Sequence, residues 1–96
     1  MPAAARQGDS GVPHCSAYTI ATGSGDVLIN GRGAARVGDT STTHQKPGGR
    51  RCGTHSASIS TGSSSVFING QAAARVGDPL ASCTTIASGS GDVMIG

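Results

Sequence analysis

With 96 residues the sequence is long enough for one domain, which we predict to span residues 1–96. It contains one tyrosine, one phenylalanine and no tryptophan, so it can bury little apolar surface and is expected to need a staple such as a bound metal. The formal net charge of +2, and the lack of aromatic residues beside the one basic cluster at 46–51, argue against a nucleic-acid-binding surface.

The N-terminal residues bear on export. The stretch MPAAARQGDSG lacks the apolar core of a secretory signal peptide, and no apolar run in the chain approaches the length of a membrane span. We therefore expect neither a signal peptide nor a transmembrane segment, so that any export must follow another route.

An internal repeat runs through the chain. TIATGSGDVLINGRGAARVGDTSTTH, residues 19–44, aligns without a gap with SISTGSSSVFINGQAAARVGDPLASC, residues 58–83. The C-terminal TIASGSGDVMIG, residues 85–96, is the first half of a third unit, and the N-terminal PAAARQGDSGVPH, residues 2–14, is its second half. Matched half-units at the two ends predict closure into a ring with a pseudo-threefold axis rather than an open solenoid.

Each unit is predicted to be a β-hairpin followed by a bend. The runs DVLING, SVFING and DVMIG are typical of short strands bounded by turn residues. Asn30-Gly31 and Asn69-Gly70 are strong hairpin signals because both residue types tolerate positive φ, and the glycine of each VGD triplet permits a bend. No window shows an apolar period of 3.6 residues, so helices should be minor, and QKPGGRRCGT, residues 45–54, is predicted to be a loop.

A metal-competent side chain follows each Gly-Asp pair at the same spacing. Five residues after the aspartate come His14, His44 and Cys83 in the three units. If a pseudo-threefold axis relates the units, these side chains occupy equivalent positions and converge on that axis. His55, the remaining histidine, has no copy in the other units and is predicted to complete a tetrahedral His3Cys site suited to one structural Zn²⁺.

Two cysteines compete with this assignment. Cys52 is the main rival ligand, because the sequence CGTH gives it a chelate-like spacing with His55, but it has no equivalent in the other units. Cys15 directly follows His14, and neighbouring strand residues point in opposite directions, so both cannot easily bind one ion. Cys15 and Cys52 are expected to be free thiols, with a disulfide between them as the alternative.

The predicted site differs from a catalytic zinc centre. Four protein ligands leave no open position for water, and the sequence contains no HExxH motif. Recurring Arg-x-Gly-Asp segments are interpreted as structural turns and ion pairs: Arg6/Asp9, Arg36/Asp39 and Arg75/Asp78. We therefore predict no enzymatic activity; the alternative is a zinc-dependent hydrolase in which the three histidines hold the ion and Cys83 is incidental.

The chain resembles the PAAR-repeat proteins that form the tip of type VI secretion spikes. The resemblance covers essentially the whole sequence and rests on PAAARQGD, GRGAARVGD and GQAAARVGD, on the VLING and VFING strands, and on the four predicted ligands. It implies a small, cone-shaped all-β fold, in which short hairpins close with pseudo-threefold symmetry and one zinc ion staples them near the apex.

The resemblance also implies partners and a location. The broad base of such a cone sits on a trimeric VgrG-type spike protein, one tip per trimer, and the tip is otherwise a monomer. We expect it in the bacterial cytoplasm before firing, and afterwards outside the cell or in a target cell, carried through the target membrane with the spike. Family members can carry toxin domains, for which 96 residues leave no room, so the chain resembles the stand-alone form.

One residue in each predicted strand is a candidate for spike docking. Alternation places Leu28, Phe67 and Met94 on one strand face and the flanking valines and isoleucines on the other. The β-branched residues suit a thin interior, whereas three larger apolar side chains displayed around a ring would need a use. We predict that Leu28, Phe67 and Met94 lie toward the base and contact the trimer, one per subunit; the alternative is that these three are core residues.

Two functional hypotheses follow. The first is a structural tip that caps and sharpens the spike and is delivered with it into target cells. The second is an adaptor that recruits effector proteins to the spike. A pull-down with candidate toxins separates the two.

Overall fold

The computed structural model describes residues 2–13, 18–42, 44–46, 53–81 and 84–96, and gives the backbone alone for 44–46 and 53–55. Its strands are β1 Leu28–Ile29, β2 Arg32–Gly33, β3 His44–Lys46, β4 Gly53–His55, β5 Phe67–Ile68 and β6 Gln71–Ala72. They form three antiparallel pairs, β1–β2, β3–β4 and β5–β6. No helix occurs in the described residues, and the all-β prediction is confirmed.

The hairpins β1–β2 and β5–β6 turn as the sequence predicts. Both residues of each Asn-Gly pair have positive φ: 54° and 77° at residues 30–31, and 53° and 80° at residues 69–70. Two consecutive positive φ values define a type I′ turn, whose twist matches that of the strands it joins. The local sequence therefore determines the register of both hairpins.

The two ends of the chain form a third antiparallel strand pair, which is equivalent to the two hairpins. Ala3 pairs with Met94 in an antiparallel bridge, and hydrogen bonds of 2.9 Å join the residues on either side of this pair. The pair corresponds to Leu28 and Gly33 in β1–β2. The prediction that two half-units combine into a third unit is confirmed by this pairing.

The alanine-rich segments meet around the pseudo-threefold axis in a closed triangle of hydrogen bonds. Ala5 N donates to Ala74 O, Ala74 N to Ala35 O, and Ala35 N to Ala5 O, at distances of 2.9–3.0 Å. All three alanines are at most 1% exposed. Only small side chains allow three backbones to approach one another this closely, which explains the alanine content of the repeat.

A second ring lies beyond this triangle. Antiparallel bridges join six short segments in a circle, so that each segment is paired on both sides. In order around the circle, the segments are residues 10–11, 19–20, 40–41, 58–59, 79–80 and 85–86. Closure leaves no open strand edge in this layer.

The core consists of two buried layers. The first combines an alanine and an isoleucine from each unit: Ala4, Ala34, Ala73, Ile29, Ile68 and Ile95. The second lies next to the alanine triangle and adds the larger residues Tyr18, Ile20, Ile59, Leu80 and Ile86. Both layers are thin, as the composition predicts.

The faces of the outer strands, residues 27–29, 66–68 and 93–95, agree only in part with the predicted alternation. The isoleucines are buried, whereas Leu28, Phe67 and Met94 are 60%, 61% and 46% exposed, so the alternative that these three are core residues is wrong. The prediction of interior valines is also wrong, because Val27, Val66 and Val93 are 36–37% exposed. Each valine N–H donates to a serine Oγ in a turn. The valine therefore precedes the regular strand, and its side chain does not follow the alternation of buried and exposed residues along that strand.

The predicted loop at residues 45–54 is shorter than expected. In β3–β4, Gln45 pairs with Thr54 and Lys46 with Gly53, so these four residues are strand. The middle of the predicted loop, residues 47–52, lies outside the described residues. The strands extend because β3–β4 continues the antiparallel pairing that segments 40–41 and 58–59 already make in the ring.

Candidate functional site

Two of the four predicted metal ligands are located by the structure. His44 and His55 stand directly opposite each other in β3–β4. The Cα atoms of such antiparallel partners are about 4.5–5.5 Å apart. His14 and Cys83 lie outside the described residues, as do Cys15 and Cys52. The pairing of the two histidines is thus observed, and the complete ligand set stays a prediction.

The register of antiparallel pairing changes by one residue between the ring and this histidine pair. Thr40 pairs with Ser58 in the ring, and His44 pairs with His55 in β3–β4. Residues 41–43 therefore lie between the two pairs on the first side and residues 56 and 57 on the second, so the register of pairing differs by one residue between the ring and β3–β4.

The ring also sets the positions from which the other ligand segments leave. Segments 10–11, 40–41 and 79–80 occupy alternate places around the circle. His14, His44 and Cys83 each come three residues after the end of their segment. Within the part of the chain that the structure describes, no three His, Cys, Asp or Glu side chains are grouped as a metal site requires.

The Arg-x-Gly-Asp segments are closed ion-pair turns, as the sequence predicts. In the first, Arg6 Nε and Nη2 each donate to the Asp9 carboxylate at 2.9 Å, and the Asp9 N–H donates to Arg6 O at 3.0 Å. The turns at 36–39 and 75–78 repeat these contacts. The hydrogen bond to the aspartate raises the pKa of each arginine. Each pair therefore forms a structural contact that closes its own turn.

A polar network that sequence reasoning missed ties the units together. Buried serines at positions 24, 63 and 90 each accept the N–H groups of the second and third residues that follow. Ser24 Oγ donates to Asn69 Oδ1 at 2.7 Å, and Ser90 Oγ donates to Asn30 Oδ1 at 2.6 Å. In the third contact, Ser63 Oγ donates to the Gly96 carbonyl. The recurring Gly-Ser dipeptide was the available signal for this network.

Two exposed carboxylates extend the same network. The hydrogen bond from Ser24, followed in size of effect by the one from Asn69, lowers the pKa of Asp26. Hydrogen bonds from Asn30 and then Ser90 lower the pKa of Asp92. Each carboxylate therefore links its own unit to the hairpin turn of another unit.

The residues predicted to dock, Leu28, Phe67 and Met94, form one exposed set that we call the apolar triad. Each belongs to a different unit and is followed by an isoleucine of the first core layer. The pseudo-threefold arrangement therefore repeats the same exposed apolar feature around the axis. Its exposure is observed, and its contact with a partner is a prediction.

A comparison with protein families identifies this architecture. The family model described as PAAR motif matches residues 2–45 and 51–96. The chain belongs to the PAAR-motif family. No curated protein matches the chain. Family membership confirms the resemblance drawn from the PAAARQGD, GRGAARVGD and GQAAARVGD stretches.

Membership in the PAAR-motif family indicates a general function for the chain. It relates the chain to the structural tip proteins of type VI secretion spikes, and it implies association with a VgrG spike and export by that system. The family is structural rather than enzymatic. The described residues contain no helix of the length and apolar character needed to cross a membrane.

Proposed function

We propose that the chain caps and sharpens the trimeric VgrG-type spike of a type VI secretion system and is delivered with it into target cells. The observation that supports this proposal most directly is the closed hydrogen-bonded triangle of Ala5, Ala35 and Ala74. A single chain with three nearly equal units can offer the same contact to each subunit of a symmetric trimer. One tip therefore binds per trimer.

The apolar triad is the docking surface in this proposal. Its three side chains are the most exposed apolar groups of their outer strands, one in each unit. Grouped exposed apolar residues usually mark an interaction surface. Each triad residue contacts one subunit of the trimer, so that a single interaction is repeated three times around the axis.

At the far side of the ring, we propose one structural zinc ion held by His14, His44, His55 and Cys83. Support comes from the direct pairing of His44 with His55 and from the threefold placement of the segments that lead to the ligands. Imidazole and thiolate donors fit Zn²⁺, and four of them give a closed structural site. When bound, the ion would join segments that the thin core holds weakly and make a rigid, cone-like apex.

The elongated shape suits such a tip. The chain measures 39 Å along its long axis and 22–23 Å across it. In each unit, the chain passes from the first core layer through the second layer and the ring toward a predicted ligand. The apolar triad beside the first layer and the ligands beyond the ring therefore belong to opposite ends in this proposal.

Mixing the protein with its cognate spike trimer tests the function. Native mass spectrometry should give a complex of one tip and three spike chains. Replacing the triad together, Leu28→Ser, Phe67→Ser and Met94→Ser, should abolish the complex while the protein stays folded and zinc-loaded. Val12→Ser removes an exposed apolar residue outside the triad and should bind as the wild type does. Failure of the wild-type protein to bind the trimer would contradict the proposal.

A further inference from the structure

The outer strands are hydrogen-bonded within their hairpins on one side only. In the third unit, hydrogen bonds of 2.9 Å join the residues on either side of the Ala3–Met94 pair. Bonded and non-bonded pairs alternate along an antiparallel ladder, so Ala3–Met94 is a non-hydrogen-bonded pair. The backbone N–H and C=O of both residues consequently point away from the partner strand.

The other two units repeat this geometry. Ala34 N donates to Val27 O at 2.9 Å, and Ala73 N donates to Val66 O at 2.9 Å. The next pairs along these ladders contain Leu28 and Phe67. Their backbone N–H and C=O groups therefore also face outward, as those of Met94 do.

The opposite side of each hairpin is already occupied. The strands that pair with the outer strands are β2, β6 and the segment around Ala3. In each of them an outward carbonyl accepts an N–H from an Arg-x-Gly-Asp turn of a neighbouring segment. The Gln7 N–H donates to Gly33 O at 2.7 Å, the Val37 N–H to Ala72 O at 2.9 Å, and the Val76 N–H to Ala3 O at 2.9 Å. No described residue bonds the outward backbone groups of the apolar triad in this way. Three equivalent open edges remain, one in each unit.

Open edges are unusual in this molecule because the ring layer has none. Soluble proteins commonly guard an edge with proline, lysine or a bulge, since an unpaired strand is a template for another strand. The triad positions instead carry large exposed apolar side chains. Backbone groups that bind a strand, next to side chains that pack on it, are the two components of recognition by strand addition.

We propose that the triad residues bind the spike by strand addition. Each of Leu28, Phe67 and Met94 donates its N–H to, and accepts an N–H from, one terminal strand of the trimer, and its side chain packs beside that strand. The inference rests on the proposed function and adds the mode of binding. The occupant is the β-structured end of a threefold-symmetric spike, one strand from each subunit.

Symmetry supports a threefold-symmetric spike as the occupant. The three edges are related by a pseudo-threefold axis, so a trimer that shares this axis can engage all three at once, with one subunit at each edge.

Amide hydrogen exchange on the free protein and on the spike complex tests the binding mode. In the free protein, the amides of Leu28, Phe67 and Met94 should exchange without protection. In the complex, all three should slow by about 100-fold or more, as hydrogen-bonded amides do. The amide of Ala34, bonded to Val27 O, should be protected in both states and is the internal control.

A pair of variants supplies a second measurement. Phe67→Leu keeps the N–H and an apolar side chain, and it should bind the trimer within a few-fold of the wild type. Phe67→Pro removes the outward N–H, which proline can do on an edge without breaking the hairpin ladder, and it should weaken binding about tenfold or more. If the proline variant does not fold, amide hydrogen exchange on the wild-type complex alone tests strand addition.

The outcomes separate the two proposals. Protection of all three amides supports strand addition. A one-to-three complex in which these amides still exchange freely overturns strand addition and leaves the capping function intact. Absence of any complex overturns both proposals. Protection that depends on protein concentration in the absence of spike identifies a second copy as the occupant and also overturns the inference.

Discussion

At the scale of single residues, three equivalent glycines control how closely the units pack. A Cβ at Gly23 would lie 2.7 Å from Gly33 O, one at Gly62 would lie 2.5 Å from Ala73 O, and one at Gly89 would lie 2.6 Å from Ala4 O. The serine after each glycine donates its N–H to a carbonyl of the neighbouring alanine segment. Glycine is therefore required by close approach of two backbones.

Gly89→Ala tests this close approach. The added methyl group would collide with backbone and should lower the free energy of unfolding by about 2 kcal/mol. The melting temperature should fall by roughly 10 °C, measured by circular dichroism. Gly91→Ala is the matched control, because a Cβ there meets no atom within 4 Å, and it should leave stability nearly unchanged. Equal melting temperatures for the two variants would contradict the explanation.

The exposed carboxylates Asp26 and Asp92 should make stability depend on acidity. Their folded-state pKa values lie below the unfolded value of about 3.9 because serine and asparagine groups bond the charged form. The stabilisation is present above the unfolded pKa and is lost as the pH falls through the folded pKa. In denaturant titrations between pH 5 and pH 2, Asp92→Asn should lose less stability than the wild type. Identical losses would show that the network contributes nothing.

At the scale of elements, the hairpin β3–β4 distinguishes one unit from the other two. It brings the non-repeated His55 opposite the repeated His44. A unique residue thus becomes a neighbour of a residue at the repeat-defined ligand position. This placement supports the choice of His55 as the fourth ligand of the proposed site.

The cysteines provide the sharpest test of the ligand set. Cys83→Ser should strongly weaken zinc binding, because only Cys83 occupies the ligand position of the repeat. Cys15→Ser and Cys52→Ser are the matched controls and should retain one zinc ion per chain, measured by elemental analysis of purified protein. Loss of zinc from Cys52→Ser but not from Cys83→Ser would mean that the site is misassigned.

At the scale of the whole molecule, closure compensates for a thin core. The alanine triangle and the six-segment ring satisfy backbone groups on both sides of each segment in those layers. Few large side chains are buried, and those of the second core layer are Tyr18, Ile20, Ile59, Leu80 and Ile86. Because so little apolar area is buried, a metal that joins the segments beyond the ring would have a large share in stability.

Removing the metal should therefore cost much of the stability. Structural zinc supplies folding free energy on the order of 10 kcal/mol in small domains, so chelation or His44→Ala should greatly lower the melting temperature. Gln45→Ala, in the same strand, is the control and should melt close to the wild type. An unchanged melting curve after verified metal removal would refute the role proposed for zinc.

The sequence by itself determined the local and repetitive features of the protein. The Asn-Gly turns, the Arg-x-Gly-Asp ion pairs and the assembly of a third unit from two half-units were all predictable. The turns and ion pairs depend on residues no more than three positions apart, whose geometry is a property of the local chain. The third unit was predictable because the repeat itself records which halves are equivalent.

Only the tertiary structure decided which groups of different units become neighbours. It exposed Val27, Val66 and Val93, extended β3–β4 into a segment of loop-like composition, and joined Ser24 and Ser90 to asparagines of other units. It also left the outer edges of the triad strands unpaired within the described residues. Burial and pairing depend on which segments close around the axis, and a contact such as that of Asn30 with Ser90, which are 60 residues apart, cannot be read from local sequence.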